Sequence, residues 1–342
     1  MTTTTTGTAC AEPRFSVIVP VYNRIDEVRD LVQSLEAQSV KNFELVVVED
    51  GSSMPCRDVV EGASGIDASY YYKPNEGRSI ARNYGMEKAR GDYFVFFDSD
   101  CVIPPDYFEK LEKALDADYA DCYGGPDAAS ESFSPLQKAI SYAMTSFLTT
   151  GGIRGGKMSL EKFVPRTFNM GFSRAVYEKA GGFREMFSED IDMSTRIRQA
   201  GFRTALFADN PVWHKRRVDL KCFWRQVHVF GMSRITLKLL YPDSLKVVHT
   251  LPALFTAGSA ALIAMGAVLS PWWLAPLGAY FAAVGTGATM KHKSLKTGLL
   301  AVPAAAVQLY GYGTGFIRAW WKTYVLRKGR RVEDEIEMRK GR

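Results

Sequence analysis

The sequence predicts an α/β fold, with a mostly parallel sheet and flanking helices, followed by C-terminal transmembrane helices. In the N-terminal part, short apolar runs rich in β-branched residues alternate with stretches of helical periodicity, a pattern typical of parallel sheets. Further along, no Asp, Glu, Lys or Arg occurs between Val247 and Met290. An uncharged stretch of that length is typical of membrane spans and longer than a core helix requires.

Five apolar runs are predicted strands, at residues 15–20, 43–48, 70–72, 93–97 and 168–173. Helical periodicity predicts helices between and after them, at residues 25–38, 79–89, 104–117 and 190–199. Ligands bind at the carboxyl ends of the strands in such sheets. Acidic clusters follow two of the strands, at Glu49-Asp50 and at Asp98-Ser99-Asp100, so the sequence predicts chemistry at that edge.

The average charge of +6 and mean hydropathy of −0.12 hide two dissimilar parts. Residues 214–342 contain 20 Lys and Arg against 6 Asp and Glu, whereas residues 1–213 contain 23 against 31. The basic residues of the second part flank apolar segments, which favours a membrane interface over nucleic acid. The five cysteines are widely spaced, so neither a disulfide framework nor a zinc site is predicted.

These patterns divide the chain into five parts. They are a disordered leader at 1–13, a catalytic domain at 14–213, a basic region at 214–246, a membrane region at 247–317 and a basic tail at 318–342. The basic region contains a predicted interface helix at 220–240, with Trp224, Phe230, Ile235 and Leu239 as apolar anchors.

The membrane region contains two predicted spans, at 247–269 and 272–290, joined as a hairpin. Lysines precede the first span and follow the second, which places both ends and the catalytic domain on the cytoplasmic side of the inner membrane. A third apolar segment, at 299–317, makes the protein multi-pass if it spans. Its basic tail would then lie outside, against the positive-inside rule, so a re-entrant or interfacial position stays open.

Two features near the sheet edge suit a diphosphate. Asp98 and Asp100 offer the oxygen ligands that Mg²⁺ or Mn²⁺ prefers. Upstream, the turn around Gly77 opens a helix whose N-terminus can bind anions, and Arg78 and Arg82 lie on that helix. The alternative to anion binding is an ordinary helix start whose arginines are solvated.

Six motifs in order resemble those of family-2 glycosyltransferases with the GT-A fold. They lie at residues 19–24, 48–52, 75–83, 91–93, 98–100 and 188–192, and His214 resembles the C-terminal metal-binding histidine of GT-A enzymes. The resemblance covers about residues 14–240. It implies a nucleotide-sugar site formed by Pro20, Tyr22, Asn23, Asp50, Asn75, Arg78, Arg82 and Asp98. It also implies a divalent metal, Mg²⁺ or Mn²⁺, held by Asp98, Asp100 and His214.

The resemblance leaves several assignments open. Asp190 is the preferred general base, with Glu189 and Asp192 as rivals, Glu189 by adjacency and Asp192 by surface access. Asp190 alternatively only caps the helix that follows it. The alternative to metal binding by His214 is a structural role. Tyr22 and Phe168 have an alternative interpretation as aromatic residues of the core. Glu49 stands where aspartate is commoner in the family, and residues 151–157 are a candidate lid or a plain linker.

The sequence therefore predicts a membrane-anchored inverting glycosyltransferase. It would move one sugar from a nucleotide-diphosphate-sugar donor to a hydroxyl of a membrane-held glycan in cell-surface polysaccharide biosynthesis. The expected partners are a lipid-linked acceptor and membrane lipids, but no nucleic acid. Two alternatives are a polyprenyl-phosphate monosaccharide synthase and a non-catalytic membrane scaffold. The Q-x-x-R-W motif of processive synthases is absent near Trp224, and no G-x-G-x-x-G follows the first strand, which disfavours an oxidoreductase.

Overall fold

The computed structural model describes residues 12–128, 133–151, 164–214 and 219–328. Predictions for the leader up to residue 11, the lid at 152–157 and the tail beyond residue 328 lie outside the described residues. The chain forms two compact units. Unit 1 comprises residues 1–125, 165–183 and 195–212, and unit 2 comprises residues 126–164, 184–194 and 213–342.

The described residues form ten strands. These are β1 Phe15–Val21, β2 Phe43–Asp50, β3 Asp67–Lys73, β4 Tyr93–Phe96, β5 Cys101–Val102, β6 Cys122–Gly124, β7 Asp127–Ala128, β8 Met170–Ser173, β9 Thr204–Leu206 and β10 Val212–His214. All five predicted strands are present, and the short strands β5, β6, β7, β9 and β10 were not predicted.

The described residues also form twelve α-helices. These are α1 Ile25–Glu36, α2 Arg57–Glu61, α3 Arg78–Lys88, α4 Tyr107–Ala117, α5 Pro135–Thr145, α6 Phe147–Thr150, α7 Arg174–Ala180, α8 Glu189–Gln199, α9 Leu220–Leu240, α10 Val247–Val268, α11 Ala275–His292 and α12 Leu295–Trp320. Short 3₁₀ turns at Pro242–Ser244 and Pro271–Leu274 precede α10 and α11.

Unit 1 is built on a seven-stranded sheet in the order β3-β2-β1-β4-β8-β6-β9. β1 pairs in parallel with both β2 and β4, and β2 pairs in parallel with β3. Only β8 runs antiparallel to its neighbours, β4 and β6. The predicted α/β fold with a mostly parallel sheet is therefore confirmed.

The central strands are buried because helices cover the sheet. Along β1, Phe15, Val17 and Val19 are fully buried, and they share one core cluster with Leu31 and Leu35 of α1. A run of apolar residues without polar alternation is the expected signature of such a strand. The register aligns Val21 with Glu49, so the carboxyl ends of β1 and β2 lie side by side.

The third apolar segment of the sequence is the central helix of unit 2. It forms α12, which packs against α5, α9, α10 and α11. Glycines allow a close approach of α9 to α12: a Cβ added to Gly231 of α9 would lie 2.1 Å from the carbonyl oxygen of Tyr312. A Cβ on Gly315 would lie equally close, 2.1 Å, to the carbonyl oxygen of His228. Small residues thus bring α9 and α12 into backbone contact, as in tightly packed membrane helices.

The prediction of two membrane spans, with a third apolar segment of open topology, is supported for one helix. Among the described helices, only α10 is long and apolar enough to cross a bilayer. The segment predicted at 272–290 begins as a 3₁₀ turn and continues as α11, whose many Gly and Thr residues lower its hydropathy. The segment at 299–317 lies within α12, where Gln308 and several Gly and Tyr residues lower the hydropathy of the segment, and Lys296 and Arg318 flank it. A multi-pass topology is therefore not supported.

The predicted interface helix also needs a correction. Its bounds agree with α9, Leu220–Leu240. Ile235, predicted as a membrane anchor, is 2% exposed and belongs to the core of unit 2. Trp224 is 38% exposed, so one predicted anchor lies on the surface. Because α12 covers much of α9, this helix does not present one continuous open apolar face.

Candidate active site

The first group of candidate residues surrounds Asp50, the last residue of β2 in unit 1. One carboxylate oxygen accepts hydrogen bonds from Lys73 Nζ at 2.8 Å and from the backbone N–H of Glu76 at 2.9 Å. The other accepts from the N–H of Gly77 at 2.8 Å. Asp50 thereby fixes the turn that leads from β3 into α3. Contact between Asp50 and a nucleotide stays a prediction.

Lys73 is charged within this buried group. Burial alone would lower the pKa of Lys73, but its hydrogen bonds to Asp50 and to Glu76 raise that pKa above its ordinary value. Asn75 is exposed on the same turn. It lies beside Gly51, whose φ of +76° is a conformation that favours glycine and whose added Cβ would lie 2.5 Å from the Asn75 nitrogen. The geometry of the loop therefore explains why the 48–52 motif has glycine at position 51.

The end of β1 is tied to the loop after β2. Asn23 accepts a hydrogen bond from the Ser53 N–H at 2.9 Å, and its own N–H donates to Ser52 Oγ at 2.7 Å. Tyr22 is 52% exposed, so its alternative reading as a core aromatic is wrong. Pro20 is partly buried, and the β1–β2 register places it opposite Val48. The predicted nucleotide residues Pro20, Tyr22 and Asn23 thus line the carboxyl end of β1.

Glu49, which stands where aspartate is commoner, points into the core. Its side chain accepts hydrogen bonds from Ser52 Oγ, from Tyr70 OH at 3.4 Å and from the Cys56 N–H at 2.8 Å. The Cys56 thiol also donates to it at 3.0 Å. Burial, together with the bond to Glu49, raises the pKa of that thiol. The longer side chain of Glu49 is therefore used to hold the loop between β2 and α2.

Asp98 and Arg82 form an ion pair at the carboxyl end of β4. Arg82 Nη2 lies 2.8 Å from Asp98 Oδ1, with side-chain exposures of 1% for Arg82 and 34% for Asp98. The guanidinium carbon lies 5.6 Å from the centre of the Phe183 ring, a cation–π distance. The alternative of solvated arginines is therefore wrong for Arg82, whereas Arg78 is exposed at the start of α3. Arg82 orients the carboxylate at which a metal is predicted.

Asp98 and Asp100 offer oxygen ligands for Mg²⁺ or Mn²⁺ at this edge of the sheet. Asp98 and Asp100 follow β4 in a turn, and both are partly exposed. Across the described residues, no group of three or more His, Cys, Asp or Glu side chains could hold a metal ion. Mg²⁺ commonly binds through one or two carboxylates and completes its shell with water and substrate phosphates, so the pair fits. His214 ends β10, and its side chain lies outside the described residues.

The second group is the acidic first turn of α8, which belongs to unit 2. Glu189 is 2% exposed and Asp192 is fully buried, whereas Asp190 is partly exposed. Asp192 accepts hydrogen bonds from Arg184 Nη1 at 3.1 Å and from Tyr241 OH at 2.6 Å. The reason for naming Asp192 as a rival base, surface access, is therefore wrong. Of these three carboxylates, Asp190 is the most open to solvent.

Asp190 has a modest local hydrogen bond of its own. Its Oδ1 accepts from the N–H of Ile191 at 2.8 Å, at the start of α8, so a structural contribution and a chemical role are compatible. Arg196, later on the same helix, donates to the backbone carbonyl oxygens of Ala180 and Gly182 within unit 1. Arg196 therefore serves the fold of unit 1.

Three residues around the acidic turn were missed by the sequence reasoning. Arg184 and Tyr241 hold Asp192, and Ser233 Oγ accepts a hydrogen bond from Ser188 Oγ at 2.9 Å. Tyr241 and Ser233 are more than forty positions away in the chain, so no local motif contains them. Only Arg184 was close enough in sequence to be proposed as a partner.

A model of a known protein family matches part of this chain. The model described as glycosyl transferase family 2 matches residues 16–181. This match contains all but the first residue of β1, the strands β2 to β4, and Asp50, Arg82, Asp98 and Asp100, but it ends before Asp190.

Two relatives that are named as glycosyltransferases are similar to parts of this chain. Glycosyltransferase EpsH of Bacillus subtilis is 37% identical over 101 residues, which are 29% of this chain and 29% of that protein. Teichuronic acid biosynthesis glycosyltransferase TuaG of the same organism is 35% identical over 133 residues, 38% of this chain and 53% of that protein. The chain thus spans about half or less of the length of these curated relatives.

One solved structure has a similar overall fold. The mannosyltransferase PcManGT from Pyrobaculum calidifontis, in complex with GDP-Man and Mn²⁺, superposes with a TM-score of 0.59 over 87% of this chain and 88% of that chain. The sequence identity is 18%, so the likeness concerns the fold. The GT-A fold predicted from the ordered motifs is confirmed.

Proposed function

We propose that this chain, whose residues 16–181 match the model described as glycosyl transferase family 2, transfers one sugar from a nucleotide-diphosphate-sugar to an acceptor hydroxyl in polysaccharide biosynthesis. A role in polysaccharide assembly follows the name of TuaG, and a nucleotide-sugar donor follows the GDP-Man bound to PcManGT. The donor's sugar and base are left open by this proposal.

The exposure of the acidic turn of α8 carries the proposal. Glu189 and Asp192 are buried, and Asp190 is the partly exposed carboxylate among them. We assign Asp190 as the general base. It takes the proton of the acceptor hydroxyl while the acceptor oxygen bonds to the anomeric carbon and the bond from that carbon to the diphosphate breaks. The products are a glycosidic bond with inverted configuration and a nucleoside diphosphate.

The donor is assigned to the carboxyl edge of the sheet in unit 1. Tyr22 and Asn23 at the end of β1, with Asp50 and the turn it holds, would contact the nucleotide. Mg²⁺ or Mn²⁺, held by Asp98 and Asp100 with His214 as a further candidate ligand, would offset the charge of the leaving diphosphate. Arg82 keeps the Asp98 carboxylate oriented, because its guanidinium is buried and fixed over Phe183.

The exposed surface of α10 supports attachment to a membrane. Only 17% of its most apolar stretch is buried, whereas the core helix of a water-soluble domain is mostly buried. Leu254 and Ile263 are 62% and 52% exposed, and Trp272 in the turn after α10 is 83% exposed. Such a surface is expected to enter lipid, with tryptophan at the headgroup level. We propose anchoring in the inner membrane, the catalytic unit facing the cytoplasm and a lipid-linked glycan as acceptor.

The transfer reaction can be tested with the purified full chain and a panel of UDP- and GDP-sugars. We expect release of nucleoside diphosphate from one donor when Mn²⁺ or Mg²⁺ and a membrane lipid extract are present. Removing the metal with EDTA is expected to lower the rate at least about tenfold, because the diphosphate charge is then not offset. Re-addition of Mn²⁺ should restore it. Absence of release from every donor would contradict the proposal, and a sugar attached to a lipid phosphate would identify the synthase alternative.

Membrane attachment can be tested by alkaline carbonate extraction of cell membranes. The wild-type chain is expected to stay in the pellet, whereas Leu254→Lys with Ile263→Lys is expected to move to the supernatant. Each charge costs about 2.5–3.5 kcal/mol near the bilayer centre. Leu206→Lys is the matched control, because Leu206 is a 47% exposed apolar residue of unit 1. Extraction of the wild-type chain, or retention of the double variant, would contradict anchoring by α10.

A further inference from the structure

Two hydroxyl groups from the α9 region hold the acidic turn of α8. Ser188 Oγ donates to Ser233 Oγ at 2.9 Å, and Tyr241 OH donates to Asp192 Oδ1 at 2.6 Å. Ser233 lies on α9, and Tyr241 is the C-cap residue that follows it. The two hydrogen bonds therefore attach to the turn on either side of Glu189-Asp190 in the sequence.

The backbone of this turn needs such support at Ser188. Its φ is +62°, in the left-handed region that few residues other than glycine adopt. The Ser188 carbonyl accepts hydrogen bonds from the N–H groups of Ile191 and Asp192, at 3.0 and 3.1 Å, and so begins the helix. A strained conformation of this kind persists only where the surroundings fix it, and the bond to Ser233 is one such contact.

Apolar packing acts on the same turn. Met186, Ile191 and Leu237 of α9 form a small buried cluster, against which Leu240 and Tyr241 also pack. Tyr241 therefore contributes its ring to this cluster and its hydroxyl to Asp192. Since Asp192 is fully buried and also pairs with Arg184, its position on α8 is well defined. In the sequence, Asp190 therefore lies between two residues held by hydrogen bonds, Ser188 and Asp192.

We propose that Ser233 and Tyr241 are positioning residues for Asp190, an inference that rests on the base role assigned to Asp190 above. Neither is assigned a contact with substrate; they act through Ser188 and Asp192. Misplacing a reacting group by about 1 Å can cost about 100-fold in rate, so a turn that holds a base gains from rigid support. Because α9 leads within a few residues into α10, the segment that holds the base is also continuous with the proposed membrane anchor.

The test compares Tyr241→Phe with Tyr280→Phe in the full chain. Both variants lose one hydroxyl in unit 2, since Tyr280 OH donates to the Leu148 carbonyl at 2.7 Å. Tyr241→Phe is expected to lower kcat about tenfold and to leave the KM of the donor within about twofold, because the donor residues lie in unit 1. Ser233→Ala is expected to act in the same direction. Tyr280→Phe is expected to leave kcat unchanged.

Amide hydrogen exchange separates this inference from the assignment of the reaction. In Tyr241→Phe, the amides of residues 188–194 should exchange faster, while those of β1 and β2 keep their protection. An unchanged exchange rate there, or an unchanged kcat, would overturn the positioning role. A wild-type chain that is inactive with every donor would instead overturn the proposed function, and the exchange measurement would still decide whether Tyr241 holds the turn.

Discussion

Replacing Asp190 with asparagine is expected to lower the transfer rate about 10²–10⁴-fold, the usual contribution of a general base. Asparagine has the same size and keeps an oxygen that can accept the Ile191 N–H, now 2.8 Å from Asp190 Oδ1. The start of α8 is therefore expected to stay folded. What the variant loses is the capacity to take the acceptor's proton.

The measurement is nucleoside diphosphate release in the presence of acceptor, together with donor affinity by titration calorimetry. Donor affinity should stay within about threefold of wild type, since the donor is assigned to unit 1 and a base contributes to the transition state rather than to donor binding. Asp209→Asn is the matched control, because Asp209 is an exposed carboxylate of unit 1 outside the assigned site. Its activity should equal that of the wild type.

The result also decides between classes of protein. A non-catalytic scaffold would show no transfer in the wild type, and Asp190→Asn would change nothing. Retention of more than about a tenth of the activity in Asp190→Asn would contradict the base assignment, because general bases seldom contribute so little. Glu189 would then be the next candidate because it is adjacent to Asp190, although it too is buried.

The central sheet could be predicted from the sequence because each strand there is a continuous apolar run. β1, β2 and β4 begin where their predicted strands begin. β3 extends beyond its predicted length because it lies at the edge of the sheet, where an exposed polar residue such as Asp67 is tolerated, and because buried Lys73 at its end pairs with Asp50. β6 and β9 were missed because each has three residues, and long-range pairing rather than local pattern forms them.

The surroundings of an apolar helix cannot be read from its composition. Both α10 and α12 contain a predicted apolar segment, yet Ala304, Ala305 and Leu309 of α12 are buried by neighbouring helices while Leu254 of α10 is exposed. Lipid and protein interior are both apolar, so hydropathy does not distinguish them.

The sequence motifs identified the candidate carboxylates of the site, but not the residues that hold those carboxylates in place. The motifs identified Asp50, Asp98 and Asp190 because each follows a strand or begins a helix in a familiar order. That Arg82 is buried against Phe183, 101 positions further along the chain, depends on tertiary packing that short motifs do not contain. The same holds for Tyr241 and Asp192.

Asp98→Asn is expected to remove metal-dependent transfer and also to destabilise unit 1. The loss of activity should be about 10²–10³-fold, because the carboxylate is assigned to the metal that offsets the diphosphate charge. The loss of stability has a separate cause. Arg82, whose side chain is 1% exposed, would lose its anionic partner at 2.8 Å. Breaking a buried pair costs about 3–5 kcal/mol, but Asp98 is 34% exposed and solvent screens it, so about 1–3 kcal/mol is expected.

A double variant separates the two effects. Asp98→Asn with Arg82→Met removes both charges, and a buried apolar side chain at position 82 leaves no guanidinium without a partner. Urea unfolding should show that the double variant is at least as stable as Asp98→Asn alone, whereas its transfer activity stays lost. Asp92→Asn, at an exposed carboxylate just before β4, should change neither quantity. Recovery of activity along with stability would mean that Asp98 acts only by holding Arg82, and that the metal and the diphosphate are bound elsewhere.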